Sequence, residues 1–131
     1  PLADRIDMHV TVKRLAPTTL LERSQSSSSK SIARRVEKAR QVQSERLSKL
    51  SSPVNGRIPA PMMEKVVELT SPQKKLLAEI AQYGGLGPRS MHNIQRVART
   101  IADLEGKPKI EDDHLFSAAT YRLSDADKEA A

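Results

Sequence analysis

The sequence contains no cysteine and no tryptophan, and only two tyrosines and one phenylalanine among its 131 residues. The absence of cysteine excludes a disulfide framework, a thiolate zinc site and a cysteine nucleophile. Because aromatic residues are so few, aliphatic side chains and alanine must form the core, which favours helices over an aromatic-rich β-sandwich. No apolar run approaches the roughly 20 residues that a membrane-spanning helix requires, and no signal peptide is visible. We therefore expect a cytoplasmic protein without a membrane partner.

A phosphate-binding loop is also missing, since the pattern G-x-x-x-x-G-K-[ST] does not occur. The cluster of Gly84, Gly85 and Gly87 is followed by no Lys-Ser or Lys-Thr, and a helix C-cap is its favoured interpretation. The three histidines lie far apart, without the i, i+4 spacing typical of a helical metal site. The residues therefore predict neither a metal site nor catalysis by this segment alone.

The positive charge is concentrated in one part of the chain. The net charge is +6, and residues 13–50 carry ten basic against three acidic side chains, a net charge of +7. A basic helix can bind nucleic-acid phosphates, and Arg34, Arg35 and Lys38 are the candidate contacts. The alternative is an ordinary solvated face, because no aromatic stacking platform accompanies these residues.

The first residues have the pattern of a strand. Apolar residues at positions 6, 8, 10 and 12 alternate with polar ones, and a period of two predicts a β-strand. A lone strand is not stable in water, so we expect its sheet to lie outside this sequence and the chain to be a piece of a longer protein. The stretch 24–31 contains six serines, a composition that predicts a linker.

The rest of the chain has a helical pattern, with apolar residues spaced by three and four positions. Caps, prolines and glycines divide it into four or five helices with short connections. The predicted helices begin near Ser31, Pro61, Ser71, Pro88 and Glu111. The sequence therefore predicts a mainly α protein, a helical bundle preceded by a single orphan strand.

Three arginines lie on the helix that Pro88 opens, away from its apolar stripe. Arg89 falls in the first turn, where free N–H groups and the helix dipole favour an anion, and its guanidinium could bind phosphate oxygens there. A solvated surface arginine is the alternative, and the better one without further context. Arg99 can pair with Asp103 at i, i+4, which favours a structural role for it.

Four segments resemble, in order along the chain, motifs of magnesium-chelatase-type AAA+ ATPases. They are residues 2–10 (LADRIDMHV), residues 32–43 (I-x-x-R-V-x-x-A-R-x-x-Q), residues 89–104 (RSMHNIQRVARTIADL) and residues 110–122, which end in Tyr-Arg. The similarity extends to the competence protein ComM group, often described as magnesium-chelatase-like. Gly87-Pro88 stands where the family usually has Ser-Ala. This replacement still allows a helix to start, but it removes the serine that would cap the helix.

The resemblance implies a division of the chain and roles for its arginines. Arg5 corresponds to the arginine finger that reaches the nucleotide of a neighbouring subunit, and Arg89 corresponds to the sensor-2 arginine near the γ-phosphate. Arg96 has a weaker assignment to the nucleotide. The implied regions are the end of an α/β ATPase core (1–14), a Ser-rich linker (15–31), the helical lid (32–123) and a polar tail (124–131).

The implied function is that of a C-terminal lid in an ATPase whose full length binds ATP and Mg²⁺, with neither expected on this segment. The implied partners are neighbouring subunits of a homo-oligomeric ring, a hexamer, and DNA. Whether the parent acts in tetrapyrrole synthesis or DNA processing stays open, with DNA processing favoured. The alternatives are a basic helical nucleic-acid-binding module and a scaffold bundle that binds only proteins.

Overall fold

The computed structural model describes residues 5–14 and 27–123, and five α-helices lie within them. The helical bundle predicted from the sequence is confirmed. Residues 15–26 of the predicted linker and the predicted tail, 124–131, lie outside the described residues. The helices are α1 (Ser29–Arg46), α2 (Met63–Val66), α3 (Ser71–Tyr83), α4 (Pro88–Leu104) and α5 (Asp112–Thr120), with 3₁₀ turns at Asn55–Arg57 and Ala60–Met62.

The strand predicted over residues 6–12 does not form, and residues 6–14 have no regular secondary structure. A strand needs a neighbouring strand to pair its backbone groups, and none lies in the described parts of the chain. The segment is attached to the end of α5 instead, where the N–H of His9 donates to the carbonyl of Tyr121 at 2.8 Å. An alternating apolar pattern alone therefore does not make a strand, because a strand is defined by its hydrogen bonds to a neighbouring strand.

Helix α4 lies at the centre of the bundle and packs against α1, α3, α5 and the first 3₁₀ turn. Its Ile94, Ala98 and Ala102 are completely buried. The helical spacing of apolar residues predicts Ile94 and Ala98 on the buried face, but not Ala102. The other residues of the same hydrophobic core come from every side of α4. They are Leu47, Ile58, Met63, Val67, Leu77, Ile80, Ile110, Leu115, Ala118 and Ala119.

Two N-caps lie one to three residues before the ones that the sequence indicates, Ser29 or Ser31 for α1 and Ser71 for α3. The hydroxyl of Ser28 accepts the N–H of Ser31 at 3.2 Å, so α1 begins at Ser29, within the predicted linker. Helix α3 is capped one residue earlier than predicted, because Thr70 and Gln73 form a reciprocal capping box. Both starts follow from which hydroxyl reaches the unpaired N–H groups of the first turn.

Helices α3 and α4 both end in a left-handed glycine. Gly85 has φ 59° and Gly106 has φ 70°. In each case the N–H of the following residue donates to the carbonyl five residues back, at 2.8 Å. This is the Schellman arrangement, so the glycine cluster after α3 ends one helix before the next begins, as the C-cap interpretation predicted.

A buried polar cluster joins α1 to α4. The side chain of Asp103 is fully buried and accepts four hydrogen bonds of 2.7 to 3.1 Å. Two come from the guanidinium of Arg46, one from the amide of Asn55 and one from Nε of Arg99. A carboxylate that has lost its water in this way is stable only while these donors are in place.

Arg99 shows the electrostatic cost of this burial. Desolvation lowers the pKa of its guanidinium, and Asp103 opposes that shift through its charge and its hydrogen bond. The remaining Arg99 nitrogens donate to the carbonyls of Lys107 at 2.7 Å and Pro108 at 3.1 Å. The structural role predicted for Arg99 from its i, i+4 spacing to Asp103 is confirmed.

The first prediction concerns Asp103. We expect Asp103→Asn to lower the free energy of unfolding by about 3–5 kcal/mol, because the buried guanidinium of Arg99 and the half-buried one of Arg46 lose their counter-charge. Glu64→Gln is the matched control, since its ion pair with Lys74 lies at the surface and should contribute less than about 1 kcal/mol. Urea denaturation followed by circular dichroism measures both, and equal effects would contradict the central role of Asp103.

The second prediction concerns Gly106. We expect Gly106→Ala to destabilise the fold by about 1–2 kcal/mol, because a residue with a Cβ resists the left-handed conformation. Gly56→Ala serves as the control, since Gly56 lacks a positive φ and no atom lies within 4 Å of an added Cβ. The control should be neutral or slightly stabilising. A neutral Gly106→Ala in the same denaturation assay would refute this account of the α4 terminus.

Candidate functional site

Arg89 is exposed in the first turn of α4. The N-cap is Gly87, which has no side chain to accept a hydrogen bond, and Pro88 occupies the first helical position without an N–H. The next N–H groups have no acceptor within the helix, and together with the helix dipole they favour an anion at this point. No ion pair among the described residues involves Arg89. The first turn of α4 therefore offers an arginine and free backbone donors together.

Arg5 is exposed, and the structure connects the residue after it to the first turn of α4. The link between them is Arg122, whose Nη2 donates to Oγ of Ser90 at 2.7 Å and whose Nη1 donates to the carbonyl of Ile6. Ile6 directly follows Arg5, and Ser90 directly follows Arg89. The residues that directly follow the two arginines therefore contact the same guanidinium, although they are 84 positions apart in the chain.

Sequence reasoning did not assign a role to Arg122. It appeared only as the final residue of the last matched motif. Its position immediately after α5 was visible, but its contacts with Ser90 and Ile6 span 32 and 116 positions. No local periodicity carries such a signal, so the bridge could be found only in three dimensions.

Arg96 lies further along α4 and is engaged in packing. Its guanidinium donates to Oδ1 of Asn93 at 2.9 Å and to the carbonyl of Ile58 at 2.8 Å. Arg99 is buried in the Asp103 cluster. Of the three arginines singled out on this helix, Arg89 is the one whose guanidinium remains exposed.

Arg34, Arg35 and Lys38 occupy the first half of α1, and all three are exposed. Every residue from 29 to 38 is exposed, and the helix enters the core only from Ala39 onward. Val36 and Arg40, on either side of Lys38 in the chain, line one cavity with Leu104, which lies about 22 Å along α4 from Arg89 at 1.5 Å per residue. The basic surface and the Arg5–Arg89 site are therefore separate features.

His114 has a structural role at the start of α5. Its Nδ1 accepts the N–H of Glu111 at 2.9 Å, so the ring proton lies on Nε2, which donates to Glu105 at 2.9 Å. Glu111 also forms an exposed pair with Lys107 at 3.0 Å, and the hydrogen bond from that lysine lowers the pKa of the Glu111 carboxyl. Nδ1 of His114 thus caps the start of α5, and Nε2 joins α5 to the end of α4.

The described residues hold no group of three or more histidine, cysteine, aspartate or glutamate side chains placed to bind a metal ion. None of the helices in the described ranges, 5–14 and 27–123, combines the length and apolarity needed to span a bilayer.

Comparison with known proteins identifies the family. Residues 26–122 match the family described as "Magnesium chelatase, subunit ChlI C-terminal". The chain is 31% identical to competence protein ComM of Haemophilus influenzae over 123 residues, which cover 93% of this chain and 23% of that protein. It is also 31% identical to the uncharacterized protein YifB of Salmonella typhimurium over 126 residues, 95% of this chain and 24% of the relative.

The matched region thus spans about a quarter of the length of these relatives. The family match covers all five helices, from the start of α1 to Arg122. The chain therefore belongs to the magnesium chelatase C-terminal family.

Proposed function

We propose that this chain is the helical lid of a magnesium-chelatase-like AAA+ ATPase. In this proposal Arg89 faces the γ-phosphate of ATP bound by the same subunit. Arg5 reaches the nucleotide of the next subunit in a homo-oligomeric ring. ATP and Mg²⁺ would be held by the remainder of the parent protein.

The exposed position of Arg89 is the observation that carries the proposal. A guanidinium can stabilise charge on a phosphoryl group only if it is not already paired with a carboxylate of its own protein. Arg96 and Arg99 on the same helix make internal hydrogen bonds, whereas Arg89 stands at the helix N-terminus without an ion pair among the described residues. Free N–H groups of the first turn would add to its attraction for phosphate.

The third prediction tests the two arginines in the full-length parent. We expect Arg89→Ala and Arg5→Ala each to lower kcat for ATP hydrolysis at least roughly 100-fold. In each variant the charge that develops on the phosphoryl group in the transition state loses a hydrogen-bond donor. Both side chains are exposed, so the melting temperature should not change. The control is Arg57→Ala, an exposed arginine in the first 3₁₀ turn. Normal turnover of both variants would refute the proposed roles.

Arg96 gives an internal comparison for the same experiment. Its contacts with Asn93 and Ile58 support a packing role, so Arg96→Ala should lower the melting temperature more than it lowers kcat. A large loss of kcat or a weaker affinity for ATP at an unchanged melting temperature would instead support the nucleotide assignment that the resemblance implies.

Mixed oligomers test whether Arg5 acts across a subunit boundary. Arg5→Ala subunits have an intact phosphate site, and subunits with a disabled phosphate loop in the parent retain Arg5. If Arg5 acts in the neighbouring subunit, mixing the two inactive proteins restores hydrolysis, because some sites then combine both intact parts. A mixture that stays inactive while the two proteins co-assemble would place Arg5 within its own subunit.

Nucleic-acid binding through α1 is the second candidate function. The exposed first half of this helix carries Arg34, Arg35 and Lys38, and none of the ion pairs among the described residues involves them. An unneutralised basic helix can contact consecutive phosphates. This role is compatible with the lid, since the two surfaces are separate, and it would suit a parent that processes DNA.

The fourth prediction concerns this basic surface. If three phosphates are neutralised, the affinity for a labelled DNA should fall roughly 40-fold between 50 and 200 mM salt. Replacing Arg34, Arg35 and Lys38 together by alanine should abolish that salt dependence. The matched control removes three exposed lysines elsewhere, Lys65, Lys75 and Lys109. Fluorescence anisotropy measures the DNA affinity of both triple variants. If both lose the same affinity, the binding is only non-specific charge attraction.

A further inference from the structure

Arg122 joins three parts of the chain that are distant in sequence. It lies in the turn after α5, where its own N–H donates to the carbonyl of Ala119 at 2.8 Å. Its Nη2 donates to Oγ of Ser90 in the first turn of α4, and its Nη1 donates to the carbonyl of Ile6. The same nitrogen lies 3.4 Å from Nε2 of His9.

The bridge is firmly held at its α4 end. Ser90 is 98% buried, since only 2% of it is exposed, so its hydroxyl has little freedom to find another partner. The guanidinium is planar and its two Nη groups are fixed relative to each other. A displacement of the segment at Ile6 is therefore transmitted through Arg122 to the first turn of α4.

A second contact stabilises the same junction. The N–H of His9 donates to the carbonyl of Tyr121 at 2.8 Å, next to the bridging arginine. The segment from Ile6 to His9 is thus tied to the end of α5 by one backbone bond and one side-chain bridge. Both ties lie within four residues of Arg5.

We propose that Arg122 is a positioning residue that couples Arg5 to Arg89. The inference rests on the proposed function of these two arginines as phosphate-facing groups. Because Ile6 and Ser90 each directly follow one of them in the chain, the bridge sets their relative placement. Movement of Arg89 on nucleotide binding or release then shifts Arg5 towards or away from the neighbouring subunit, so adjacent sites in a ring respond to each other.

The test is a double-mutant cycle in the full-length parent protein. Arg122→Ala should lower kcat for ATP roughly tenfold or more, because small misplacements of a catalytic group are costly. In an Arg89→Ala background the further loss should be several-fold smaller, since one of the two arginines that Arg122 positions is then absent. Independent, multiplying losses would overturn the coupling.

Ser90→Ala provides the second variant, in case Arg122→Ala impairs folding. It removes only the α4 arm of the bridge, and we expect a smaller loss of kcat at an unchanged melting temperature. The loss should again not multiply with that of Arg89→Ala. An unchanged kcat in Ser90→Ala would contradict the proposal.

Hydrogen exchange gives a readout that does not depend on turnover. The amide of His9 should exchange faster in Arg122→Ala than in the unmodified protein, because the segment loses its side-chain tie. The outcomes also separate the two hypotheses. If Arg5→Ala and Arg89→Ala leave kcat unchanged, the proposed function fails, whereas if they lower kcat and Arg122→Ala does not, only the coupling fails.

Discussion

The fold depends on one buried carboxylate. Asp103 accepts hydrogen bonds from two arginines and an asparagine that come from α1, from α4 itself and from the connection between α1 and α2. No surface water can replace these donors, because its side chain is fully buried. Directional bonds of this kind fix how α1 crosses α4 more narrowly than apolar contacts alone, which tolerate sliding.

This constraint divides the basic residues between structure and function. Three arginines donate hydrogen bonds to acceptors within the protein and hold the helices in place; they are Arg46, Arg96 and Arg99. Arg5, Arg89 and the basic residues in the first half of α1, Arg34, Arg35 and Lys38, remain exposed. Net charge cannot make that distinction, since a buried, paired arginine and an exposed one count equally in a composition. Arg89 consequently stands at the start of a helix that these internal hydrogen bonds hold in place.

Helix pattern, capping chemistry and the Arg99–Asp103 pair were predictable because each is local. A 3.6-residue period, a glycine after a helix or an i, i+4 ion pair depends only on near neighbours. The strand over residues 6–12 failed for the opposite reason, since its pairing partner is not in the described part of the chain. Asn55 and Arg46 were missed because their partner, Asp103, is 48 and 57 positions away.

The amino-acid sequence alone determined the all-helical core, the glycine-terminated ends of α3 and α4, and the family resemblance of its ordered motifs. It also placed Arg89 in the first turn of a helix. Tertiary structure decided which arginines are buried as structural donors and which stay exposed. It also decided that Arg122 joins Ile6 to Ser90, the residues that directly follow Arg5 and Arg89. Hydrogen bonds between residues far apart in the chain depend on the packing of whole helices, and no local pattern encodes that packing.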